Sequence, residues 1–329
     1  MNIEYVEPLS RGWDRMKKAL FQPFDLRKWL VVGFTAFLAG LTESQGGGRS
    51  KWTERWGGRG WEDVFRFPSE AREWLAGNPL WAALILAAVV AVVALMVLLT
   101  WLSSRGNFMF LDNVAHDRSE VTAPWHRHRS AGNSLFLWRL CFGAIVSVVI
   151  AGYVLYCFLG LSEAYESGHS TQALLMNLLV MGLGLFGLAL VSGFISRFLN
   201  DFVPVIMVRR GVDAGSAIRA FWDLFRERPI PLLAYGLIVF LLKILVVFLV
   251  VLIGLFTCCA GFLVMAIPYV NAVLLLPVSY TLRAFSLEFL AQFGRDFNCL
   301  PVSPKPKPRR AASKTPARKG KPLKRTGKA

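Results

Sequence analysis

The chain has 329 residues, 55% of them apolar and only 18% charged, with a formal net charge of +16. A typical soluble domain is about 25% charged, so the composition excludes an ordinary soluble globule. The charge is no general nucleic-acid signature, because residues 301–329 hold 11 Lys or Arg and no acid, leaving +5 for the rest.

The opening residues, MNIEYVEPLS, contain no basic region leading into an apolar core, so no cleavable signal peptide is expected. Next, Leu9, Trp13, Met16 and Leu20 share one face of a helix, while Arg11, Arg15, Lys17 and Lys18 share the other. This pattern predicts an amphipathic helix lying in the headgroup plane. The apolar blocks at 80–102, 135–162, 173–195, 231–256 and 261–282 are each long enough to cross a hydrocarbon core of about 30 Å. They do not alternate, which argues for helices against barrel strands. A shorter block, 29–41, is extended to a first span at about 26–44 by the charge distribution.

With six spans, the segments on the N-terminal side hold 6, 4, 6 and 13 basic residues and those on the other side 6, 0 and 0. Five spans would put 12 on the inner side and 23 on the outer, against the rule that basic loops stay in the cytoplasm. The expectation is an all-α polytopic integral membrane protein of a bacterial inner membrane. Its six transmembrane helices form three hairpins, with both termini cytoplasmic.

Between the first two spans, the outer loop 45–78 carries four tryptophans with six basic and six acidic residues in and around it, suited to resting on a membrane surface or closing over a ligand. After the second span, His116, His126 and His128 lie near Asp112 and Asp117. Their spacing does not converge, so no metal site is assigned, though a pH-responsive loop fits. The middle segment APWHRHRSAGNSLF repeats the tryptophan and basic residues of the first amphipathic helix with a weaker stripe. Further on, Glu163, Glu166 and His169 read as a solvated outer turn. Within the fourth span, GLGLFG at 182–187 imitates a dinucleotide fingerprint, but no strand precedes it and the glycines suit helix contact instead. Ile218, Phe221, Trp222 and Phe225 then repeat the amphipathic stripe before the fifth span.

Three span exits share an arginine followed by an acid: Arg105 with Asp112, Arg197 with Asp201, and Arg283 with Glu288. These are expected interfacial ion pairs, and the recurrence suggests a triplicated two-helix unit. Lys243 is the only charge between Pro231 and Phe256. A lysine there costs about 2.5–3.5 kcal/mol unless it faces protein or water. Its expected partner is Asn271, in a sixth span kinked by Pro268 and Pro277, either as a structural contact or as a polar pocket for an anionic ligand. The five cysteines form neither a disulfide framework nor a zinc pattern. The tail, 295–329, is too polar to bury a core. It is expected to attract anionic lipid, with ribosome or nucleic-acid contact as the rival.

The elements RFLNDFVPVIMVRRG, AFWDLFRERP and LRAFSLEFLAQFG resemble a family of uncharacterised multi-spanning bacterial membrane proteins. These are distantly similar to the non-catalytic membrane domain of some glycerophosphoryl diester phosphodiesterases. The resemblance covers residues 195–294 best; it implies fold and location, with no active-site residues to carry over. No catalytic or cofactor-binding set is visible, so an enzyme is not expected. The expectation is a membrane scaffold or assembly factor engaging lipid or a partner protein. The alternative is a small transporter or lipid-handling protein with its site at Lys243 and Asn271.

Overall fold

A computed structural model describes residues 3–42, 61–167, 171–257, 261 and 265–300, and among these there is no strand. In chain order the helices are α1 (Val6–Phe21), α2 (Leu26–Gly40), α3 (Trp61–Gly77), α4 (Pro79–His116), α5 (Thr122–Arg127) and α6 (Arg129–Glu166). They continue with α7 (Thr171–Arg210), α8 (Ala214–Glu227), α9 (Pro229–Phe256), α10 (Pro268–Leu274) and α11 (Leu276–Ala291), and a 3-10 turn follows at Arg295–Phe297. The tail from 301, the loop at 43–60, His169 and the Cys258–Cys259 turn lie outside the described residues.

Four helices, α4, α6, α7 and α9, are long and apolar enough to cross a membrane, and a fifth crossing is counted if α10 and α11 form one bent span. The bend is 63°. It falls at Leu275, between Pro268 and Pro277, where a kink is expected from the missing proline donors. At 15 residues, α2 is only about 22 Å long, short of the 30 Å that a crossing needs.

The long helices exceed the expected spans. α4 has 38 residues, about 57 Å, nearly twice the hydrocarbon thickness. Its most apolar 18 residues have no buried member, and the same holds in α7. Such surface suits lipid, which is as apolar as leucine. Beyond Leu102 and Ile195, where the sequence pattern ends the spans, both helices run on into a packed region. Ser103–Ala115 of α4 is buried throughout, as are Phe202, Val203, Val205 and Ile206 of α7. A residue of positive φ stops each extension: Asp117 at 54° after α4 and Gly211 at 66° after α7. Both act as left-handed C-terminal caps.

Around these extensions the core forms. Tyr235 at the start of α9 stacks at 4.8 Å on Phe289 and at 5.1 Å on Phe285, and meets Phe202 at 4.8 Å. α1 and α8 each bury one face against the core. α1 buries Gly12, Met16, Ala19 and Leu20, and α8 buries Ala214, Ala217, Phe221 and Leu224. Gly12 is required at the α1–α11 crossing, where a Cβ would lie 3.1 Å from the Phe285 backbone nitrogen. Only the tryptophans of the two stripes stay outside, Trp13 at 47% and Trp222 at 50% exposure. Each has a cation one turn on: Lys17 at 5.5 Å and Arg226 at 5.6 Å from the ring.

α2 runs antiparallel to the buried half of α4. Lys28 pairs with Asp117 at 2.9 Å, and Asn113 donates to the Thr35 hydroxyl at 3.4 Å. At Gly106 the helices touch so closely that a Cβ would overlap Leu38. After α11 the chain stays packed further than expected for a tail starting at 295. Phe297 is buried beneath the Arg210 guanidinium, and the Cys299 thiol donates to the Val205 carbonyl at 3.1 Å.

Candidate functional site

The polar residues of the helix extensions converge where the exposed apolar halves of the long helices give way to the core. On α7, Arg197 and Asp201 stand one turn apart and pair at 3.0 Å. The same Asp201 carboxylate accepts from the buried Tyr235 hydroxyl at 3.2 Å. On α11, Arg283 is 7% exposed and reaches both neighbouring helices. One of its terminal nitrogens donates to the backbone carbonyl of Asn200 at 3.1 Å, and the other to the side-chain carbonyl of Asn107.

The Asn200 carbonyl is a particular acceptor. Its helical donor would be the backbone N–H four residues on, but that residue is Pro204, inside α7. Proline carries no N–H, and Arg283 supplies the missing donor. The side chain of Asn200 faces another way and accepts from Arg139 at 2.6 Å. Arg139 also reaches the Ser104 and Ser103 hydroxyls, at 3.3 and 3.4 Å.

Among these groups lies a cavity of about 130 Å³, walled by Asn107, Arg197, Asn200, Asp201, Lys243 and Arg283, with Ser279 and small residues of α2 closing it. Three cations, Arg197, Lys243 and Arg283, line it, and among the described wall residues Asp201 is the carboxylate. The volume has room for several waters or for one small anionic group.

Lys243 shares this cavity with residues just past the ends of the apolar blocks of α4 and α7, at Asn107 and Arg197. α9 begins inside the core, since Leu232, Tyr235, Gly236 and Val239 are buried, and Lys243 stands one turn past Val239. Asn271 is not among the cavity walls; its backbone joins Ile267 and Leu275 within α10 and its cap.

Of the three expected arginine–acid pairs, Arg197–Asp201 forms. Spacing explains the other two: side chains four apart on a helix meet, while seven apart is two full turns, about 10 Å. The Asp112 carboxylate instead lies 3.1 Å from His116 and 3.9 Å from His128. Arg105 donates to the Asn133 side chain at 3.0 Å, with its guanidinium 4.4 and 4.8 Å from the Trp101 and Trp125 rings. Five apart puts Glu288 on another face from Arg283, and Glu288 pairs with Arg15 of α1 at 3.0 Å. His126 bonds back to Thr122 and takes no part.

Sequence reasoning missed Asn107, Asn200, Tyr235 and Arg139. Arg139 carried a usable signal, since it is a charge inside an apolar block, as Lys243 is. The asparagines follow Arg105 by two and Arg197 by three residues, a faint echo that only the fold makes meaningful.

A family model described as a Family of unknown function (DUF7544) matches residues 4–299. No curated protein and no solved structure matches the chain.

Proposed function

The chain belongs to a family of unknown function, DUF7544, and we propose that it is a non-enzymatic integral membrane protein that binds an anionic headgroup at the inner ends of its spans. The observation that carries this reading is the lining of the cavity, where Arg197, Lys243 and Arg283 stand with the polar side chains of Asn107, Asn200 and Asp201. Guanidinium and ammonium groups in a partly dehydrated wall suit phosphate or carboxylate oxygens. The reading is the lipid-handling or small-transporter one, with the site moved from Asn271 to Asn107, Arg197 and Arg283.

The test is the melting temperature of the purified protein in detergent, titrated with an anionic phospholipid or a zwitterionic one of the same chains. A ligand at 100 times its Kd raises stability by about 2.7 kcal/mol. Stabilisation by the anionic lipid alone supports the reading; equal effects of both lipids contradict it.

The same reading includes six crossings, the first at about 26–44, in a bacterial inner membrane with both termini cytoplasmic. The uneven distribution of basic residues supports this. Kinship with the membrane domain of glycerophosphoryl diester phosphodiesterases is part of the proposal, on the motifs at 195–294. The scaffold reading keeps one observation of its own, the exposed Trp13 and Trp222 beside Lys17 and Arg226. That pairing suits anionic headgroups at an interface, with tail contact to lipid, or to ribosome or nucleic acid, as its extension.

A further inference from the structure

A second opening lies on the other side of Asn200. It is a cleft of about 450 Å³, walled mainly by α6 and α7, with Thr100 of α4 at its edge. That volume lies in the range of roughly 300–1,000 Å³ found for small-molecule sites. Its two ends differ. One holds Arg139 and Asn200; towards the other, Phe142, Val146 and Ile150 repeat every four residues and present a continuous apolar stripe. From Leu135 to Ile150 the cleft follows α6 for about 22 Å, longer than half of a 30 Å hydrocarbon core.

Asn200 is wall to both spaces. Its side-chain carbonyl is held by Arg139 on the cleft side, and its backbone carbonyl by Arg283 on the cavity side. A ligand with an anionic head and one long apolar chain matches this gradation, with the head among the cations and the chain along α6. A water-soluble anion would leave the apolar length of the cleft without a role. Gly143 and Gly193 both line the cleft, and a Cβ built on either meets nothing within 4 Å. Each leaves volume open where other side chains would fill it.

We infer that the cleft between α6 and α7 holds an acyl chain of an anionic lipid whose head lies at the Asn200 end, where the cleft borders the cation-walled cavity. This rests on the proposed headgroup site and adds to it the class of ligand, a phospholipid in preference to a free phosphate ester. The experiment compares phosphatidylglycerol with glycerol 3-phosphate, which offers the phosphate chemistry without chains. Each is titrated against the full chain in detergent, by native mass spectrometry for the lipid and by melting temperature for both. Gly143→Leu and Gly193→Leu serve as independent plugs, since the space around each lets the fold stand.

The expected result is lipid binding at least about tenfold tighter than glycerol 3-phosphate, and a loss of about that factor in either plugged variant. Binding of glycerol 3-phosphate stays unchanged in both. Lipid binding that survives both plugs, or glycerol 3-phosphate binding as tight as the lipid's, overturns the inference and leaves the cavity as a site for a soluble anion. If the unaltered chain binds neither, the headgroup site itself fails, and the inference with it.

Discussion

Arg283 of α11 gives the backbone carbonyl of Asn200 in α7 the hydrogen bond that Pro204 cannot, at 3.1 Å. A helix broken this way inside an apolar region needs a donor from elsewhere. Here the donor is a guanidinium 83 residues away in sequence, which also holds Asn107 of α4. One residue thus ties three helices together and forms part of the cavity wall.

That relationship predicts a coupling. Arg283→Met strands two buried acceptors at about 1–3 kcal/mol each, so the melting temperature should fall by many degrees. Pro204→Ala restores the backbone donor to Asn200 and should recover about 1 kcal/mol of that loss in the double variant. Thermal unfolding of the four proteins in one detergent measures this. Strict additivity of the two substitutions would show that Arg283 does not serve the Asn200 carbonyl.

Asp201 stands among the cations of the cavity. Asp201→Asn keeps the shape, removes this carboxylate from the wall, and weakens the pairing with Arg197 and Tyr235. Anionic lipid should therefore bind more tightly while the apo protein melts earlier, a split visible in a lipid titration of melting temperature. Weaker binding would mean that the carboxylate holds the cations in place for the ligand.

Gly106 marks the closest approach of α2 to α4. Gly106→Val has no room unless α2 moves, and overpacking of this kind costs about 1–3 kcal/mol or more. Since Ala39 and Gly40 close the cavity from α2, lipid binding should fall together with stability. Gly143→Ala, at a position with open space around it, should leave both unchanged.

Burial pushes the Cys299 thiol up to about 11. At pH 8 about one part in a thousand is then thiolate, the reactive form. Cys299 should resist iodoacetamide in the folded protein and react once it is denatured, as read by peptide mass spectrometry. Rapid alkylation at pH 8 would show that residues 297–300 do not stay packed on α7.

Much of the helical scaffold was legible in the sequence because lipid imposes a simple rule, a long run of apolar residues. The blocks at 80–102 and 231–256 lie within α4 and α9, and the prolines at 268 and 277 bracket the bend at Leu275. The extensions past Leu102 and Ile195 were not legible. Their mixture of arginine, asparagine and phenylalanine looks like an exposed helix exit, and only contacts between helices bury it. The site was legible in part for the same reason. Lys243 stands out against leucine and valine, whereas Asn107 and Asn200 matter only because Arg283 and Arg139 reach them. The partner of a buried charge is a fact of register between helices, which one chain's spacing does not contain.

The central claim, that the cations around Lys243 hold an anionic head, is tested most directly by lipid affinity in Lys243→Gln beside Lys243→Arg. Measured against the melting temperature of each apo protein, Lys243→Gln should weaken phosphatidylglycerol binding by about tenfold and Lys243→Arg should retain it. Phosphatidylglycerol binding equal in all three proteins, and equal to that of phosphatidylcholine, would contradict the account.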